Sequence, residues 1–153
     1  MEEFVRPATS DDVDELVRLD RAHRRLLESA ARGGTQWLNE HPEPGRAGWA
    51  LRCSESSWQV FVAGVDSVVL GMLSLTIASD GADARIDQVF VEEEARELGL
   101  GDGLVEAALE GARRSGCRAV ESTALPGDRD TKNLFERFGL VARAITVRRD
   151  LGS

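Results

Sequence analysis

Two periods of apolar residues run through this chain, and the points where one gives way to the other mark its elements. Phe4-Val5-Arg6-Pro7-Ala8 is a short β-type run that Pro7 ends or holds at a sheet edge. Thr9 then offers a cap, with Asp12 three residues on in a capping-box arrangement. Val13, Leu16 and Val17 begin a stripe of helical spacing that lasts to about Ala31. Gly33-Gly34 breaks it. From 33 to 57 the pattern is irregular, and Trp37, Pro42, Pro44, Gly45, Gly48 and Trp49 predict short helical turns joined by loops.

Alternation takes over from Trp58 to Ala63 and from Val68 to Ile77. Gly64-Val65-Asp66-Ser67 forms the hairpin turn, and Gly71 marks a bulge or a close backbone approach. A further strand, Ala84 to Val91, feeds a glycine-rich loop. Beyond the loop Leu104, Val105, Ala108, Leu109 and Ala112 share one face of a helix that reaches about Arg114. Arg118 to Leu125 reads as another strand. Asp128 caps a short helix that turns Leu134, Phe135 and Phe138 inward and stops at Gly139. Val141, Ile145 and Val147 alternate in a last strand. The order β-α-(α)-β-β-β-α-β-α-β predicts an α/β fold, a mixed β-sheet flanked by helices. A length of 153 residues suits one domain, 1–153.

The densest chemistry lies in Arg96-Glu97-Leu98-Gly99-Leu100-Gly101-Asp102-Gly103. A strand that delivers a glycine-rich turn to a helix start presents unpaired N–H groups at the positive end of the helix dipole, which suits a phosphate. A dinucleotide loop would need a third glycine where Leu104 stands, and a P-loop would need a lysine there, whereas Lys132 is the chain's one lysine. Arg96-x-x-Gly99-x-Gly101 instead resembles the Q/R-x-x-G-x-G/A loop of the GCN5-related N-acetyltransferases (GNAT). Its setting strengthens the likeness, since Val89-Phe90-Val91 ends five residues before Arg96. Asn133-Leu134-Phe135-Glu136-Arg137-Phe138-Gly139-Leu140 resembles that family's closing L-Y-x-K-x-G-F. The likeness is best over 58–149.

The resemblance implies the acyl-CoA N-acyltransferase fold, acetyl-coenzyme A as cosubstrate and a primary amine as acceptor. The cofactor would lie between strands 84–91 and 118–125. Main-chain groups of Val89, Phe90 and Val91 would meet its pantetheine arm, and the N–H groups of Leu98 through Gly103 its diphosphate. Arg96 either contacts phosphate or pairs with Glu92, Glu93 or Glu94. Glu97 lies in the same loop, and Phe135 packs against the cofactor. Asp102 is odd beside a phosphate and is expected to turn outward.

Acetyl transfer asks the protein to orient the thioester, polarise its carbonyl and supply a neutral amine. Alternation puts Arg85, Asp87, Val89 and Val91 on one strand face, so Asp87 is the candidate base and Glu121 the second choice. The alternative is that Asp87 pairs with Arg85 or with an arginine of the first helix. Many relatives place a tyrosine acid where Phe135 stands, and this chain has no tyrosine. A coenzyme A thiolate, with a pKa near the ~8.5 of cysteine, can leave without one. Trp37 and Trp49 are candidate acceptor walls. Arg18, Arg21, Arg24, Arg25 and Arg32 form a basic face on the first helix, and His23 and His41 are given no role.

A formal charge of −8 argues against a nucleic-acid partner and biases the surface mildly toward amines. Cys53 and Cys117 form neither a disulfide framework nor a zinc spacing, so no metal is expected. No signal segment and no run of membrane-spanning length is present, so a cytoplasmic location is expected. Relatives are often dimers, which leaves a homodimer open. Three functional classes follow: an N-acetyltransferase, a non-catalytic acyl-CoA sensor of the same fold, or a generic phosphate-binding domain.

Overall fold

Near-continuous apolar runs within residues 58–91 build the sheet, because its central strands are buried on both faces. The computed structural model describes residues 1–29 and 32–152. Strands β1 (Glu3–Pro7), β2 (Trp58–Val65), β3 (Val68–Ile77), β4 (Asp83–Val91) and β5 (Ala119–Ser122) form one sheet in that order. The first four are antiparallel, and β5 runs parallel to β4. Pro7 closes β1 at the sheet edge, where a missing N–H breaks no ladder. The β2–β3 turn is tighter than expected: β2 continues through Val65, and Asp66 and Ser67 alone make the bend, with Asp66 at φ 54°.

Helices α1 (Val13–Ser29), α2 (Gly34–Glu40) and α3 (Gly45–Ser54) lie on one side of the sheet, and α4 (Leu100–Arg114) and α5 (Arg129–Arg137) on the other. The Thr9–Asp12 capping box is present and opens a single 3-10 turn that leads into α1. Asp12 also accepts both Arg6 Nη1 (2.7 Å) and Nη2 (2.9 Å), which ties β1 to α1. The expected end of the first helix near Ala31 lies outside the described residues.

The sheet separates two apolar layers. Val60, Val62 and Met72 pack with Leu16, Leu19 and Trp49, whereas Phe61, Ala63, Leu73 and Leu75 pack with Leu104, Val105 and Ala108. One register shift lies where Ala63 opposes Gly71 and Gly64 opposes Val69, so Leu70 is the extra residue beside Gly71. Gly71 itself marks a close approach: a Cβ there would sit 3.0 Å from Val91 Cγ2.

Two expectations change. The strand predicted for 118–125 ends at Ser122, because Leu125 turns back to accept the Asp128 N–H at 3.0 Å. The last strand is absent. Residues 141–152 carry no regular structure, and Val141, Ile145 and Val147 are exposed. Arg143 bonds Glu121 Oε1 at 2.8 Å, so this tail passes β5 without joining it.

Candidate active site

Two irregularities of β4 create the site. Its pairing with β5 stops at Ile86–Ser122, while β4 runs on to Val91, so the strands part and leave a cleft. Opposite β3, Ser74 faces Gln88 and Leu75 faces Ile86, which makes Asp87 the extra residue of a bulge. A bulge re-aims side chains. Ala84, Ile86, Val89 and Val91 all pack toward α4, whereas Gln88 and Phe90 reach the α1 side. Simple alternation therefore fails here, and Asp87 does not share a face with Val89 and Val91.

The Glu92 N–H donates to Leu70 O at 2.9 Å, so alternation turns the main-chain groups of Phe90 toward β3 as well. Those of Val89 and Val91 point to the open side. The Val91 carbonyl accepts Arg96 Nε at 3.2 Å. Arg96 meets none of the three glutamates after Val91; its Nη1 reaches Asp130 of α5 at 3.2 Å. Glu92 is paired with Arg18 of α1, and Glu93–Leu98 forms a 3-10 turn.

That turn ends at Gly99, which is left-handed at φ 78° and lends no side-chain cap to α4. Among the described residues the N–H groups of Gly99, Leu100, Gly101 and Asp102 meet no acceptor, whereas Gly103 donates to Gly99 O at 3.2 Å. Gly103 has a packing role: a Cβ there would come 2.8 Å from Val5 of β1. Leu100 buries its side chain and Leu98 packs on the core, so both can offer only main-chain groups. Asp102 turns away to Arg137 Nη2 (2.6 Å), which neutralises it and joins α4 to α5. Glu97 is exposed.

Two hollows that share Trp37, Asp87 and Gln88 in their linings lie at the cleft. The narrow one, about 30 Å³, runs between β4 and the chain after β5 and is lined by His23, Asp87, Val89, Thr123, Thr131 and Phe135 among others. The wider one, about 200 Å³, lies under α2 and α3 and is lined by Trp37, His41, Arg52, Trp58, Asp87 and Gln88 among others. Asp87 borders both. It accepts the Thr76 hydroxyl at 2.9 Å, while Arg85 donates to Thr123 Oγ1 at 2.6 Å instead of pairing with it. Burial raises the Asp87 carboxyl above the ordinary aspartate pKa, and the Thr76 hydroxyl with the charges of Arg52, Arg85 and His41 offsets part of the rise. Glu121, held by Arg143, borders neither hollow.

Trp37 lines the wider hollow, but Trp49 does not. It is fully buried beneath α3, and Trp58, at the head of β2, takes the wall position. Two histidines that lacked a partner in sequence have one here. Gln88 Nε2 donates to both Asp20 Oδ1 and His23 Nδ1 at 2.9 Å, and burial holds the His23 pKa down to about 4, so the ring is neutral. His41 Nδ1 donates to the Trp37 carbonyl (2.8 Å), and its ring stacks on Trp37 at 4.3 Å. The basic face of α1 is largely spent on Glu15, Glu92, Glu43 and Asp20.

Compared with known proteins, residues 19–140 match the family model described as Acetyltransferase (GNAT) family. No curated protein matches the chain. Solved structures share its fold. An aminoglycoside acetyltransferase, meta-AAC0020, from an uncultured soil metagenomic sample, in complex with sisomicin, has TM-score 0.73 at 16% identity, covering 99% of this chain and 96% of that one. The aminoglycoside acetyltransferase AAC(6')-Iy, bound to a bisubstrate analogue of coenzyme A, has TM-score 0.72 at 17% identity, covering 98% and 99%. The ribosomal-protein-alanine N-acetyltransferase of Brucella melitensis biovar Abortus 2308 has TM-score 0.72 at 13% identity, covering 99% and 100%.

Proposed function

Because the chain belongs to the acetyltransferase (GNAT) family, we propose that it moves an acetyl group from acetyl-coenzyme A to a primary amine by direct attack in a ternary complex. One observation carries this reading: β4 parts from β5 beyond Ile86–Ser122, beside a carboxylate at 87, and the loop that follows β4 leads to unpaired amides at the start of α4. Acetyl-coenzyme A, when bound, supplies a thioester already activated toward amines. The free N–H groups of Gly99 to Asp102 hold its diphosphate at the positive end of α4. Val89 and Val91 offer main-chain groups to the acyl arm, and Phe135 walls the narrow hollow. Asp87 takes a proton from the acceptor ammonium, directly or through water. Its raised pKa makes it a stronger base than an exposed aspartate, and the Thr76 hydroxyl fixes one carboxylate oxygen.

Among the described residues no cysteine or serine is placed as an activated nucleophile, so a covalent enzyme intermediate is not part of this mechanism. Among the described residues no helix is long and apolar enough to cross a membrane. Free Cys53 and Cys117 fit a reducing cytoplasm. A homodimer is part of the same reading. Val141, Ile145, Val147 and Leu151 are exposed on a tail that skirts β5, whose outer edge is unpaired among the described residues, and a second copy supplies the matching edge and tail.

Coenzyme A release from acetyl-coenzyme A, followed across a panel of amines with the wild type and Asp87→Asn, tests the reaction. Phe135 favours one competing reading, the acyl-CoA sensor, because no phenol is available to protonate a leaving thiolate. Tight cofactor binding without thiol release, unchanged by Asp87→Asn, would establish the sensor instead.

A further inference from the structure

The wider hollow holds two guanidinium groups in different circumstances. Arg24 is engaged by the protein: Nε bonds both oxygens of Asp20 at 3.0 Å, Nη1 bonds the His41 carbonyl at 2.6 Å, and the group lies over Trp37. Arg52 is not. Its guanidinium lies 4.1 Å from the Trp58 ring and 4.9 Å from the Trp49 ring, and among the described residues it makes no hydrogen bond or ion pair. Half-buried, it is also stripped of much of its water, so its forked donors face the hollow without a protein acceptor. Asp87, which borders the same hollow, is occupied by Thr76, and its charge acts on Arg52 without an ion pair between them.

A desolvated guanidinium with an empty fork is a site for a planar anion, and a carboxylate fits it with two parallel bonds. The aromatic rings hold Arg52 in place, so little side-chain freedom is lost on binding. One hollow therefore presents a cation at one point and a proton acceptor at another. The complementary ligand carries an ammonium and a carboxylate together. A polycationic amine would instead meet Arg24 and Arg52 against two carboxylates, Glu40 and Asp87.

We propose that Arg52 determines acceptor specificity by binding the carboxylate of a small amino acid whose amine is presented to Asp87, with Trp37 and Trp58 walling its side chain. This rests on the transferase reading above and names its acceptor class.

The test compares acids with charge-deleted partners of the same shape. Leucine, phenylalanine and tryptophan are assayed against their amides, with sisomicin as the polycationic arm, using the full chain and acetyl-coenzyme A. The wild type is expected to favour each acid over its amide by about 10- to 100-fold in kcat/KM, the worth of a hydrogen bond to a charged group. Arg52→Gln should bring that ratio near one while leaving the acetyl-coenzyme A thermal shift unchanged. Arg52→Lys, which keeps the charge and loses the fork, should fall between. A wild type that favours amides or sisomicin, or an Arg52→Gln that keeps the acid preference, overturns the assignment. If no amine is acetylated, the transferase reading fails separately, and Arg52 is judged by binding in the presence of coenzyme A. An acid-selective thermal shift abolished by Arg52→Gln then supports the site. Equal shifts for acid and amide, or none for either, refute it.

Discussion

Gly99 and Gly101 bracket the amides assigned to the diphosphate, and the structure gives them opposite reasons for being glycine. Gly99 sits at φ 78°, ψ 11°, and nothing lies within 4 Å of where its Cβ would be. Alanine there meets only the left-handed penalty of about 1–2 kcal/mol. At about 2–4 °C per kcal/mol for a chain of this length, Gly99→Ala should melt about 2–8 °C lower. Gly101 is helical, and its Cβ would touch Leu134 at 3.3 Å, on the protein side. Alanine there gains about 1 kcal/mol of helix propensity against a tight contact, so its stability should stay within about 1 kcal/mol of wild type. The ligand effect separates the two variants. At one hundred times its Kd, acetyl-coenzyme A stabilises by about 2.7 kcal/mol, a shift of about 5–11 °C. If strain at 99 swings the amides aside and weakens binding tenfold, the same concentration yields about 1.4 kcal/mol and about half that shift. Gly101→Ala should keep the full shift. A thermal-shift titration of the three proteins reads all of this. Were Gly99→Ala to melt lower yet show the wild-type ligand shift, the helix-start amides would not be holding the diphosphate.

Asp87→Asn should lower kcat by about 10²–10⁴ while preserving the acetyl-coenzyme A thermal shift. Because burial raises this carboxyl in the folded state, ionised Asp87 opposes folding above that raised pKa, so Asp87→Asn should also raise Tm at neutral pH. The acid limb of kcat/KM should lie above the ordinary aspartate range. Thr76→Val, which removes the hydroxyl that favours the carboxylate, should move that limb to higher pH. Asp12→Ala should cost about 2 kcal/mol through the lost cap and the broken link to Arg6. Arg6 lowers the Asp12 pKa in the folded state, so this stabilisation is present above the unfolded pKa and is lost as pH falls through the depressed value. The gap in chemical-denaturation midpoint between Asp12→Ala and wild type should therefore close only in strong acid. A chain ending at Leu140 should sediment as a monomer at concentrations where the full chain is a dimer; a full chain that is itself monomeric would remove the tail's assigned role.

Much of the scaffold was legible because its causes are local. The Thr9–Asp12 capping box, the Asp128 cap and the stop at Gly139 each depend on residues within a few positions of one another, and all three stand as read. The site depends on relations across the sheet, and there simple alternation misled. A trace of the Asp87 bulge was nevertheless present in the chain. The residues that pack toward α4 are Ala84 and Ile86, then Val89 and Val91, and this change from even to odd numbers requires one extra residue between them. Arg52, Trp58 and His41 gave no such sign. They come from three separate stretches of the chain, and only the packing of α2 on α1 and of α3 on β2 brings them to one hollow.

The tail shows a different limit. Val141, Ile145 and Val147 alternate as a strand's residues do, and such a pattern suits an apolar face and a neighbouring edge. It does not state which chain supplies that edge. A helix satisfies its own backbone, so its pattern and its formation go together. A strand has no such closure, and an alternating segment beside an unpaired edge is an incomplete element. Among the described residues β5 has no strand on its outer side and Val141, Ile145 and Val147 are exposed, so the proposed dimer would draw both halves of its contact from each copy. Two molecules related by a twofold axis can satisfy both halves at once, because such an interface joins the same surfaces reciprocally.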